Sequence, residues 1–180
     1  MSSRTTFKYS HDLTYKANNV FIFMKIIGVY GFKKSGKTTV VTSIISTLVK
    51  RGYSVSSAKS IHIEDFSLES EGTDTHKHHL SGADRVGIVY PKGKVVLYYD
   101  QNNEEFFNNF DSDYLILEGF RDYKCPKILC ARDENDIIKD LKKEVICISG
   151  LISNDIEEYK GIPVISYRDI DKIIEIIEKL

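Results

Sequence analysis

The chain carries Gly31-Phe32-Lys33-Lys34-Ser35-Gly36-Lys37-Thr38, a Gly-x-x-x-x-Gly-Lys-Thr loop, between an apolar run (Lys25 to Tyr30) and a stretch of helical period. That setting constrains the fold more than anything else in the sequence. Val40, Val41, Ile44, Ile45, Leu48 and Val49 recur on one helical face, and Gly52 follows Arg51 as a stop signal. A buried strand, a tight glycine turn and an amphipathic helix therefore follow one another directly. Successive backbone N–H groups of such a turn can wrap a phosphate, and the helix N-terminus adds partial positive charge. Gly31 and Gly36 permit the turn and the close approach. Lys37 is placed to reach the β and γ phosphates of a nucleoside triphosphate and the Thr38 hydroxyl to ligate Mg²⁺. Gly31, Lys33, Lys34, Ser35, Gly36, Lys37, Thr38 and Thr39 are the candidate triphosphate-binding residues. Lys37 is also a catalytic candidate. Lys33 and Lys34 read first as solvated loop-tip residues, with extra charge for the γ-phosphate as the sharper alternative.

The rest of the chain alternates strand and helix signals. Val55 to Lys59 reads as a strand, Ile61 to Thr73 as an acidic loop, and Asp74 to Ser81 as a short helix ended by Gly82. Arg85 to Tyr90 and Lys94 to Tyr99 read as a hairpin turning at Pro91, Lys92 and Gly93. Glu104 to Phe110 suits a helix, while Tyr114 to Leu117 and Val145 to Ser149 suit buried strands. Ile170, Ile173, Ile174, Ile177 and Leu180 line one face of a terminal helix. The expected fold is α/β: a P-loop NTPase with a mostly parallel sheet, helices on both faces and a β-hairpin insertion. Its ligand edge lies at the carboxyl ends of the strands.

Composition narrows the function classes. The formal net charge of −1 over 180 residues argues against a nucleic-acid partner. Cys125, Cys130 and Cys147 have no metal-knuckle spacing and leave an odd count, so a reducing, cytoplasmic setting is expected. Val20 to Phe23 is too short an apolar run to span a membrane. Residues 1–23 read as a polar N-terminal extension, with Met24 as a candidate start, and 24–180 as one nucleotide-binding domain.

Glu118 ends a buried strand on the P-loop edge of the expected sheet. A carboxylate there can hold Mg²⁺ or polarise an attacking water, which makes Glu118 a metal and catalytic candidate. Arg121 and Lys124 follow on the same edge and could contact phosphates. His76, His78 and His79 invite a metal reading, but only His76 and His79 share a helical face, and a solvated helix surface is simpler. The carboxylates Glu64, Asp65, Glu69 and Glu71 read as solvated surface.

Several short pieces, in order, resemble the molybdopterin-guanine dinucleotide biosynthesis protein B (MobB) family over residues 25 to about 167. They are the P-loop, the Lys59 to His62 segment, Gly72-Thr73-Asp74-Thr75, Gly82-Ala83, and Glu118-Gly119-Phe120-Arg121. The resemblance implies a GTP-binding homodimer with weak GTPase activity. Such a protein assists a MobA-type guanylyltransferase in attaching GMP to molybdopterin. It places Asp74 and Thr75 near nucleotide and metal, making Asp74 a further catalytic and Mg²⁺ candidate, and puts His62 near the acceptor or phosphates. Ser60 stands where the family has a His, which weakens an anion-binding role for that loop. GTP itself is implied by resemblance alone, because no Asn-Lys-x-Asp guanine motif is present. Two other classes compete: a small-molecule or nucleotide kinase, disfavoured by scattered arginines, and a nucleotide-controlled metallochaperone, whose support is the histidine cluster.

Overall fold

The apolar run before the glycine loop becomes the centre of a sheet. The computed structural model describes residues 14–17, 20–62, 67–68, 70–99 and 102–180. Ile63, Glu64, Asp65 and Glu69 of the acidic loop, and the extension before Thr14 with His11 in it, lie outside the described residues. Numbered along the chain, the strands and helices begin with β1 (Thr14–Ala17), β2 (Val20–Phe23), β3 (Lys25–Gly31), α1 (Lys37–Lys50) and β4 (Val55–Lys59). There follow α2 (Asp74–Leu80), β5 (Arg85–Tyr90), β6 (Gly93–Tyr98), α3 (Asn103–Phe107) and β7 (Tyr114–Glu118). The chain continues through β8 (Lys127–Ala131), α4 (Glu134–Asp140), β9 (Val145–Gly150), β10 (Glu158–Tyr159), β11 (Ile162–Pro163) and α5 (Ile170–Glu178). Contacts divide them into two units, one of residues 1–60 with 111–180 and one of residues 61–110.

In the first unit, five parallel strands run in the order β4-β7-β3-β8-β9. Side chains alternate across the sheet as the pleat requires. Ile27, Val29, Ile128 and Cys130 pack with Val40, Ile44 and Leu48 of α1 and Ile173, Ile174 and Ile177 of α5. Tyr30, Leu129, Ala131 and Ile148 turn the other way, onto Ile137 of α4 and Ile152. Helices thus cover both faces, and β7 is buried along its whole length, as expected of a parallel sheet. α1 ends at Lys50 with Arg51 as its C-cap, and Gly52 at φ 92° just beyond is the left-handed stop that its position predicts. Within the stretch expected to be a polar extension, β1 and β2 pair antiparallel.

The expected α/β, mostly parallel architecture is the one observed, and its central strands and P-loop helix lie where the sequence places them. Among the described residues, β1, β2, β8, α4, β10 and β11 carry no expectation from sequence. The terminal helix stops at Glu178, and Leu180 is exposed rather than on the buried face.

The second unit holds α2, the β5–β6 hairpin and α3. β5 and β6 pair antiparallel, with Tyr90 opposite Gly93 across a turn at Pro91 and Lys92. Tyr98 meets Phe106 edge to face at 5.5 Å, and Arg85 lies 5.0 Å over the Tyr98 ring while pairing with Glu105. The hairpin insertion predicted from sequence is therefore present.

Candidate functional site

The site grows out of the turn between β3 and α1. Gly31 (φ 148°), Lys34 (φ 63°) and Gly36 (φ 93°) bend the backbone through conformations that β-carbons resist. A Cβ on Gly31 would stand 2.0 Å from the Cys130 carbonyl oxygen, so neighbouring β8 alone demands glycine there. Gly150, at the end of β9, is equally confined: its Cβ would lie 2.3 Å from the Ser35 carbonyl oxygen. The loop is thus wedged between the carboxyl ends of two strands. No sequence motif singles out Gly150. Its one signal in the chain is a glycine closing a buried strand on the ligand edge.

Inside the loop, Ser35 is fully buried and its Oγ has no hydrogen-bond partner among the described residues. A buried hydroxyl without a partner is unfavourable, and an anion seated in the turn would relieve it. Lys37 Nζ folds back to donate to the Phe32 carbonyl at 2.6 Å. Burial pulls its ammonium below the usual lysine range; Arg121 and Lys59 push the same way, while Cys130 and Glu118 oppose. An anionic ligand beside it would favour the charged form. Thr38 Oγ1 donates to Glu118 Oε1 at 3.0 Å, which brings two of the three expected metal residues together although 80 positions separate them. Their donors are a hydroxyl and a carboxylate, the hard oxygen set Mg²⁺ prefers. Glu118 is only 7% exposed and faces Lys59 Nζ at 3.2 Å.

Lys33, Lys34 and Thr39 are exposed. Arg121 donates to the Gly31 carbonyl at 3.2 Å, pairs with Asp140, and lies 5.3 Å over the Phe32 ring. Arg132 approaches Phe32 at 5.7 Å and is held by Asp136 at 2.7 Å. Two guanidinium groups therefore flank the loop. Neither Phe32 nor Arg132 stands out in the sequence, because a cation–π pair between residues so far apart along the chain leaves no local pattern.

Asp74 belongs to the second unit. It opens α2, is capped by Thr73, and pairs with Lys77 at 2.9 Å. His76 Nδ1 accepts from the Gly72 N–H at 3.3 Å, whereas the His79 ring stacks on Tyr99 at 3.6 Å. The two rings expected to share a face are thus engaged separately. Among the described residues no group of three or more His, Cys, Asp or Glu side chains is arranged to hold a metal ion. A cavity of about 950 Å³ in this unit is lined by His79, Arg85, Tyr99 and Glu105 among others. No helix among the described residues is long and apolar enough to cross a membrane.

A five-stranded parallel sheet whose central strand runs through a glycine loop into a helix defines the P-loop NTPase fold. The chain belongs to the molybdopterin guanine dinucleotide synthesis protein B (MobB) family, whose model matches residues 26–150. A Methanocaldococcus jannaschii relative is 30% identical over 127 residues, covering 65% of this chain and 52% of its own length. A Bacillus subtilis relative is 28% identical over 145 residues, covering 77% of this chain and 83% of its own. Both are named, provisionally, molybdopterin-guanine dinucleotide biosynthesis adapter proteins. A Haemophilus influenzae relative carrying that name outright is 29% identical over 119 residues, 61% of this chain and 64% of its own. The chain spans about half the length of the M. jannaschii relative. Among solved structures, B. subtilis MobB superposes with a TM-score of 0.66 at 22% identity, covering 85% of this chain and 98% of that one. A MobB homologue from Bacillus stearothermophilus gives 0.64 at 17% identity, over 87% and 100% of the two chains. These structures share the fold.

Proposed function

We propose that this chain is a GTP-binding adapter in molybdopterin guanine dinucleotide biosynthesis, assisting a MobA-type guanylyltransferase that joins GMP to molybdopterin, and that it acts as a cytoplasmic homodimer. The observation that carries the nucleotide half is the meeting of Thr38 and Glu118 beside Lys37 at the mouth of a strained glycine loop. The pathway half rests on family membership and on the names of the relatives.

Backbone N–H groups of the loop would hold the phosphates, with the Ser35 hydroxyl as an internal donor. Lys37 would exchange the Phe32 carbonyl for the β and γ phosphates. Thr38 and Glu118 would hold Mg²⁺, which when bound supplies charge neutralisation at the terminal phosphate. Glu118 would also orient water, giving slow hydrolysis. Asp74, which belongs to the second unit, keeps the Mg²⁺ and catalytic role that the family resemblance implies.

Calorimetric titration with non-hydrolysable GTP and ATP analogues, with and without Mg²⁺, tests the reading. GTP is expected to be preferred, with metal required. Lys37→Ala should lose about a hundredfold or more in triphosphate affinity or turnover, since it deletes a preorganised cation. Undiminished binding by that variant would remove the site assignment, and a preference for ATP would favour a kinase. Added to a MobA-type enzyme, the protein should raise dinucleotide formation; no effect would remove the adapter role.

A further inference from the structure

A second cation already sits at the carboxylate assigned to the metal. Glu118 Oε1 accepts from Thr38 Oγ1 at 3.0 Å and faces Lys59 Nζ at 3.2 Å, so one oxygen serves both partners. Lys59 ends β4 directly opposite Glu118 in the parallel register, and the Ser60 N–H that follows donates to the Glu118 carbonyl at 2.9 Å. The backbone holds the pair side by side. Their side chains differ in freedom: Glu118 is 9% exposed at its side chain and Lys59 is 57% exposed. Lys59, the more exposed of the two, can move away at less cost in packing than Glu118.

Building on the magnesium and triphosphate reading above, we infer that Lys59 is a γ-phosphate-sensing residue that exchanges Glu118 for the terminal phosphate. Lys59 and a divalent cation are alternatives at Oε1, because two cations on one buried oxygen repel strongly where the dielectric is low. When Thr38 and Glu118 take the cation, Lys59 must give up its partner. Its ammonium is a compact charge with three donors on a flexible four-carbon stem. The β4 carboxyl end lies on the same sheet edge as the P-loop, because β4 and β3 both pair parallel with β7. The terminal phosphate is the anion there that a diphosphate lacks. Lys59 thereby ties metal occupancy to the presence of the third phosphate. A lysine that merely neutralised Glu118 would affect all nucleotides alike.

The test compares wild type with Lys59→Met, Lys59→Gln and Lys59→Arg. Calorimetry measures a non-hydrolysable GTP analogue and GDP, each with Mg²⁺, and electron paramagnetic resonance measures Mn²⁺ alone on nucleotide-free protein. Lys59→Met and Lys59→Gln should lose about tenfold or more in triphosphate affinity, the worth of a charge-assisted hydrogen bond. GDP affinity should stay within about twofold, which also shows that the variants fold. Mn²⁺ alone should bind these two variants more tightly than wild type, and Lys59→Arg should keep most of the triphosphate preference. An equal loss for both nucleotides in a variant with a wild-type melting transition would overturn the assignment, as would unchanged triphosphate or Mn²⁺ affinity in both variants. Wild type that binds no triphosphate would instead remove the parent reading.

Discussion

Gly150 sits at φ 93° and ψ −153°, in backbone space that only glycine enters without strain. It also has no room: a Cβ would press to 2.3 Å from the Ser35 carbonyl and 2.8 Å from that of Ala131. Gly52 has φ 92° but nothing within 4 Å of the place a Cβ would take, so only conformational strain acts there. Gly52→Ala should therefore cost about 1 kcal/mol. Gly150→Ala should cost about 3 kcal/mol or more, strain plus collision, and should lower triphosphate affinity because the P-loop must shift. Urea unfolding of both variants checks the ranking. Equal losses would mean that contact with Ser35 carries no weight. The residue scale is also where the sequence is least informative. Gly31 and Gly36 are legible because the motif fixes their spacing, whereas Gly150, Lys59, Phe32 and Arg132 matter through neighbours that only the sheet order brings close.

At the scale of elements, legibility follows period and length. α1 has fourteen residues with an unbroken apolar stripe, and α5 nine with five isoleucines, so both are readable. β8 reads Lys-Ile-Leu-Cys-Ala: it opens on a lysine that is 1% exposed and donates to the Tyr123 carbonyl, so it lacks both alternation and a clean apolar start. α4 has seven residues, five of them charged or amide, and its sign is the Asp133 cap that accepts from the Asp136 N–H at 3.1 Å. Docking of α5 on α1 combines an apolar seam with an ionic clasp. Ile174 is fully buried in the cluster shared with Val40, Ile44 and Leu48, whereas Arg51 bridges Asp171 at 2.6 Å and Glu178 at 2.8 Å near solvent. Ile174→Ala should destabilise by about 2–5 kcal/mol through lost burial and the cavity left behind. Arg51→Ala should have a far smaller effect that fades in salt, since solvent screens the pair. Thermal melts at low and high ionic strength separate the two, and a salt-insensitive Arg51 effect as large as that of Ile174 would reverse the ranking.

At the scale of the whole molecule, five acids that ionise only at alkaline pH are buried in the parallel-sheet unit. Burial pushes the Tyr30 and Tyr114 phenols up to about 12, the Cys125 thiol to about 11 and the Cys147 thiol to about 12, and drives Cys130 upward as well. In the unfolded chain these groups lose their protons near the ordinary tyrosine and cysteine values, about 10 and 8.5. Between those values and the raised ones, the folded protein keeps protons that the unfolded chain has released. Stability changes with pH as the protons bound by the unfolded state minus those bound by the native state, which is negative in that window. The stabilising contribution is whole below the unfolded pKa values and is lost as pH rises through the folded ones. Lys37 acts in the opposite sense, since its lowered pKa makes the native state release a proton first, but it is one group against five. Unfolding free energy measured in urea should thus fall steadily from about pH 9 to pH 12. Tyr30→Phe isolates one contributor. It removes the 2.7 Å hydrogen bond to the Asp140 carbonyl, lowering stability at neutral pH by about 1 kcal/mol. It should also make the decline above about pH 10 shallower, because the titrating phenol is gone. A flat or rising profile in the wild type, or an unchanged slope in the variant, would mean that these groups do not hold their protons in the folded state.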